Sequence, residues 1–79
     1  MKKRIYVLKE RWVLIGTESG KTTQNTVYLT DAAVIRVWGT TAGLGQIALD
    51  GPTSETKLDK CGDTSFPRES LLFSIDCRA

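Results

Sequence analysis

Apolar and polar residues alternate along the first half of the chain with a period of two. Strands show this period because successive side chains on extended backbone point to opposite faces. Arg4–Leu8 and Trp12–Thr17 are rich in β-branched and aromatic residues and are separated by the polar triplet Lys9-Glu10-Arg11. They predict the first two strands of a meander. Ser19-Gly20-Lys21 predicts a turn in which Gly20 is free to take positive φ. Gln24–Thr30 is the third predicted strand, with Thr26, Tyr28 and Thr30 alternating against Val27 and Leu29. Asp31 is placed to close that strand by capping the turn backbone. Ala33–Trp38 is the fourth.

Read in one register, Ile5, Val7, Val13, Ile15, Val27, Leu29, Ile35 and Val37 face inward. Tyr6, Trp12, Tyr28, Arg36 and Trp38 then share the opposite face. Tyr6, Trp12 and Tyr28 are therefore expected at an oligomer or partner surface, where aromatic residues are enriched. The competing expectation places Trp12 and Trp38 in the core of a curled barrel, with the register inverted near a bulge.

The period changes once, after Trp38. Leu44, Ile47 and Ala48 fall at i, i+3 and i+4 and predict one short helix over about residues 43–50. Thr40 or Thr41 is the expected N-cap, Gly51 the expected C′ residue, and Pro52 stops continuation. Gly43 and Gly45 weaken the helix, so it must lean on the sheet. Pro52–Pro67 reads as a long polar surface connection with a brief strand around Lys57–Cys61, and Leu71–Cys77 as the final strand. The expected fold is mainly β: a small antiparallel barrel or strongly bent sheet carrying one short helix, in a single domain spanning residues 1–79.

Composition narrows the function classes. A chain of 79 residues supports one modest core. Its 41% apolar and 25% charged content excludes a disordered chain. The net charge of +2 is too small to imply nucleic-acid binding. The basic run Lys2-Lys3-Arg4 reads as a solvated end. No apolar stretch reaches the roughly 20 residues of a membrane-spanning helix, and no signal-peptide pattern is present, so a cytoplasmic protein is expected. With no His in the chain and only Cys61 and Cys77, neither a metal site nor a cofactor is expected, and the cysteines read as free thiols. The absence of His also removes the usual general base, and the acidic residues show no paired spacing, so the chain reads as a non-enzyme.

Two glycine-bearing segments bear on ligands. Gly16–Thr23, GTESGKTT, contains Gly-Lys-Thr, but only three residues separate Gly16 from Gly20 and a β-rich segment follows. A phosphate loop needs four residues there and a helix after it. The segment reads as a hairpin turn. Gly39-Thr40-Thr41-Ala42-Gly43 instead leads into the predicted helix start, where free amides favour an anion. Arg36 and Trp38 arrive at the same end. Arg36, Trp38, Thr40 and Thr41 are thus the candidate ligand-binding residues, chemically suited to a phosphorylated aromatic molecule such as a nucleotide.

The segment VYLTDAAVIRVWGTTAGLGQIALDGP resembles the central pattern of a family of small, largely uncharacterised proteins encoded by bacteriophages and prophages. Leu29-Thr30-Asp31-Ala32, Ile35, Trp38, Leu44, Ala48 and Gly51 carry the likeness, and the closing LLFSIDC is similar to the family's last strand. Ala33 and Val34 stand where such proteins often carry a basic pair, and Arg36 where they often carry an aromatic. The resemblance implies a phage accessory protein acting in the host cytoplasm. Three functional expectations follow. The first is a non-catalytic, counter-defence binder that sequesters a small phosphorylated or nucleotide ligand, such as a host immune signal. The second is an inhibitor that binds a host protein, and the third a nucleic-acid-binding small β-barrel. A homo-oligomer is expected because a small sheet must cover its edges.

Overall fold

The computed structural model describes residues 3–78; Lys2 of the basic run lies outside them. Along the chain come β1 (Lys3–Leu8), a 3-10 turn (Lys9–Arg11), β2 (Val13–Glu18), β3 (Thr26–Val37), α1 (Leu44–Asp50), β4 (Lys57–Pro67), a second 3-10 turn (Arg68–Ser70) and β5 (Leu71–Asp76). The strands form one sheet in the order β4-β3-β2-β1-β5, and every neighbouring pair is antiparallel. The sheet stays open, with β4 and β5 as its edges, so the closed-barrel expectation is corrected.

The third and fourth predicted strands are one strand. Asp31 does not end it; the residue takes φ 49° and the strand continues as a bulge. The register shows the extra residue. Thr17 faces Thr30 while Ile15 faces Ala33, and Leu29 faces Thr64 while Ala32 faces Gly62. A bulge of this kind moves all later side chains to the other face. Val27 and Leu29 consequently cluster with Ala32, whereas Ile35 joins the opposite cluster. β4 matches the irregularity at Gly62, φ 69°, and follows β3 as far as Pro67. Partnership with this long strand extends the brief strand expected around Lys57–Cys61 to 11 residues, Lys57–Pro67, where the rest was expected to be a surface connection.

Each face of the sheet therefore has its own apolar cluster. On one, α1 lays Leu44, Ile47 and Ala48 against Ile5, Val13 and Ile35. On the other, Tyr6, Leu8, Leu14, Val27, Leu29, Ala32 and Phe66 pack together, with no second layer over them among the described residues. The sheet closes this face by coiling on itself. β1 and β4 are three positions apart, about 14 Å in a flat sheet, yet the Tyr6 and Phe66 ring centroids lie 5.6 Å apart.

The helix begins and ends near the positions read from its period. Its last turn is closed by the Gly51 N–H donating to the Ile47 carbonyl at 2.8 Å, with Gly51 at φ 86°. Its start differs from the expectation. Gly43, at φ 79°, is the N-cap residue, and neither threonine caps the helix.

Candidate functional site

Arg36 and Trp38 do meet, at the end of the sheet where the β1–β2 turn crosses the C-terminal end of β3. They line a groove of about 790 Å3 together with Arg11 and Glu10. Its deeper lining is apolar: Val13 and Ile35 are buried and Val7 half-buried, with Leu8 and the exposed Leu72 completing it. Trp38 is 44% exposed, so its ring remains available.

The three-residue turn carrying Arg11 is unusual. It is closed by the Leu8 N–H donating to the Trp12 carbonyl at 2.8 Å. Within it Glu10 takes φ 63° and Arg11 φ 69°. Left-handed backbone costs an L-residue roughly 1–2 kcal/mol, which is why hairpin turns of this kind favour Gly and Asn. Arg11 was not singled out from the sequence. The signal that could have found it is a tight polar triplet, between two strands, without a glycine.

Arg36 is exposed, and its Nε donates to Asp59 Oδ2 at 2.9 Å across β3 and β4. A pair this exposed contributes at most about 1 kcal/mol. Only Nε makes a bond, so the terminal nitrogens of the guanidinium have no partner among the described residues.

Thr40 and Thr41 do not join this groove. Thr40 Oγ1 donates to the Gly43 carbonyl at 3.0 Å, and Thr41 Oγ1 donates to Gln46 Oε1 at 3.2 Å, which also accepts from the Ala42 N–H. Local bonds therefore occupy both hydroxyls. The expected anion cradle is instead sewn to the 51–56 segment. Thr53 Oγ1 donates to the Gly39 carbonyl and Thr56 Oγ1 to the Trp38 carbonyl, both at 2.6 Å. Gly39 packs so closely on the Glu55 backbone, at φ 62°, that a Cβ has no room.

The single aromatic face is also corrected. Tyr6 is 2% exposed and belongs to the coiled core, because it points away from Ile5, which faces the helix. Its hydroxyl donates to Glu18 Oε1 at 3.2 Å, and burial, reinforced by the Glu18 carboxylate, pushes its pKa up to about 12. Tyr28 is partly exposed in a separate polar groove with Ser19, Lys21 and Asp63. Trp12 is 56% exposed and lines neither groove, so neither tryptophan belongs to the core. Val37, expected inside, is exposed at the end of β3.

A second apolar cavity of about 490 Å3 lies beside α1, lined by Ile15, Ala33, Ile47 and Leu58 with Lys3, Lys60 and Cys77 at its margin. Burial raises the Cys77 pKa. Both cysteines are free, and no group of three potential metal ligands occurs among the described residues. No described helix is long and apolar enough to cross a membrane. Gly16–Thr23 runs through the end of β2 into the β2–β3 turn, closed by the Thr22 N–H donating to the Ser19 carbonyl, and Gly20 is not left-handed. Comparison with family models, curated proteins and solved structures finds no match to this chain.

Proposed function

We propose that the protein is a non-catalytic binder of a small phosphorylated or nucleotide-type ligand, serving a phage as an accessory that sequesters a host signal. The observation that carries this reading is the groove in which Arg11 and Arg36 accompany Trp38 over an apolar lining. Two guanidinium groups suit a phosphate, which they bind through charge-assisted hydrogen bonds. An accessible indole suits a base or another aromatic ring. The left-handed Glu10 and Arg11 add support, since backbone strain of this kind collects at sites where the side chain matters more than the turn.

In this reading Asp59 holds Arg36 by Nε and leaves its terminal nitrogens directed to the ligand. Thr40 and Thr41 serve the loop and have no part in recognition. The ligand is sought by mass spectrometry of small molecules released when protein purified from phage-infected cells is denatured. Titration of that molecule should then show Arg36→Ala weakening binding about ten- to a hundredfold, the equivalent of roughly 1.5–3 kcal/mol. Arg11→Ala should act in the same direction, and Thr41→Ala should leave affinity unchanged. Wild-type affinity in both arginine variants would remove the site. Recovery of one stoichiometric host protein, with no small molecule released, would replace this reading with the inhibitor one.

A further inference from the structure

One row of facing residues crosses the helix-bearing side of the whole sheet: Ile75, Ile5, Ile15, Ala33 and Lys60, from β5 to β4. Directly opposed residues in an antiparallel ladder project to the same face. α1 packs over the β1 and β5 end of this row, where Ile5 is fully buried. Toward β3 and β4 the row drops to the single methyl of Ala33 and then ends on a lysine. That drop opens the cavity of about 490 Å3 beside α1, walled by Ile15, Ile47 and Leu58, with Lys3, Lys60 and Asp31 at its margin. We propose that this cavity is a second binding site, which takes the aliphatic chain of a free fatty acid and holds the carboxylate at the lysine-bearing rim. It shares no lining residue with the Arg36 groove and is independent of the ligand reading.

The chemistry of the lining selects this ligand. The volume falls within the roughly 300–1,000 Å3 of small-molecule sites. No aromatic residue lines the cavity, so a nucleobase would find no ring to stack on. No hydroxyl or amide side chain lines it either, which leaves a sugar without neutral partners. What remains is an aliphatic interior under a charged rim. Two ammonium groups against the one carboxylate of Asp31 leave a net attraction for a single anion. Lys60 makes no ion pair among the described residues, so its charge is available. A lysine stem can cover apolar surface while its head stays in water, which suits an amphiphile whose charged end remains solvated.

Isothermal titration calorimetry with hexanoate, octanoate and decanoate, each below its micelle threshold, tests the assignment. Wild type should bind decanoate, and affinity should fall about fourfold per methylene removed, the equivalent of about 0.8 kcal/mol for each buried CH2. Ala33→Leu fills the hollow and should abolish decanoate binding, with the far-ultraviolet circular dichroism of wild type retained. Lys3→Gln combined with Lys60→Gln should weaken binding about fivefold, as expected for exposed ion pairs. Decylamine, with the opposite charge on the same chain, should bind more weakly than decanoate. Should Ala33→Leu fail to fold, the lysine pair decides alone. A wild type that takes up no decanoate would overturn the proposal, as would equal affinity for decanoate and decylamine. So would binding kept in Ala33→Leu but lost in Arg36→Ala, which moves the anion to the other groove. Adhesion to phosphatidylcholine vesicles without uptake of free decanoate would replace the site with a membrane-binding surface.

Discussion

The helix-bearing face and the coiled face of this sheet are sealed by opposite means. On the first, a separate element is laid over the strands, and the seal depends on three helical side chains, Leu44, Ile47 and Ala48. On the second there is no lid. The sheet turns far enough for Tyr6 and Phe66, from opposite ends of the chain, to touch. The first seal is a local pattern that could be lost while the strands remain. The second is a property of the backbone path, set at Asp31 and Gly62, and fails only if that path changes. The candidate groove lies at the seam, taking Val7, Val13 and Ile35 from the helix side and Leu8 from the coiled side.

Removing the lid should have the largest effect. Ile47→Ala, at a side chain 1% exposed, should cost roughly 2–5 kcal/mol in urea denaturation. Leu49→Ala on the same helix, 54% exposed, should stay within about 0.5 kcal/mol of wild type. Equal losses would show that α1 is not anchored by its buried stripe.

The coiled face should reveal itself through alkali. Tyr6 is held protonated, with its pKa raised from 10.0 to about 12 by burial and the neighbouring Glu18. A folded-state pKa above the unfolded one stabilises fully below pH 10 and progressively less as pH rises to 12. The expected loss across that window is roughly 2–3 kcal/mol. It should be absent in Tyr6→Phe, measured as the midpoint of denaturation against pH.

Changing the backbone path itself should sit next in size. Asp31→Val forces a β-branched residue into left-handed backbone and should cost roughly 1–3 kcal/mol, whereas Asp31→Gly should cost little or nothing. If Asp31→Val is as stable as wild type, the bulge does not govern the coiled face. The smallest effect is expected at the seam. Glu10→Asn combined with Arg11→Gly relieves the left-handed turn and should raise stability by about 0.5–1 kcal/mol, while ligand affinity falls.

These contrasts also explain what the sequence made legible. The helix could be read because Leu44, Ile47 and Ala48 carry its period within one turn, and Gly51 with Pro52 marks its end. Strands β1, β2 and β5 were legible from local composition. Of β4 only the beginning, the brief strand around Lys57–Cys61, was legible; the rest was not, because its polar residues look like a loop until β3 lies beside them, and strand formation there depends on pairing rather than propensity. Asp31 read as a stop because Asp favours turns; a bulge uses the same left-handed conformation without ending the strand. That one inserted residue also upset the assignment of faces beyond it. Of the candidate site, Arg36 and Trp38 were legible from their place on one strand. Arg11 was hidden in a turn, and the bonds from Thr53 and Thr56 that tie down the loop carrying Thr40 and Thr41 were not legible because the 51–56 segment is remote in sequence.

The exposure of both indoles has a spectroscopic consequence. With Trp12 and Trp38 about half exposed and Tyr6 and Phe66 the rings enclosed, tryptophan emission should shift less on unfolding than that of a buried indole. The optical record of folding belongs to tyrosine, in the near-ultraviolet circular dichroism. Trp38 is thereby released to act as an intrinsic reporter of occupancy. A blue shift or quenching on adding a molecule, kept in Trp12→Phe and lost in Trp38→Phe, would register a ligand in the groove.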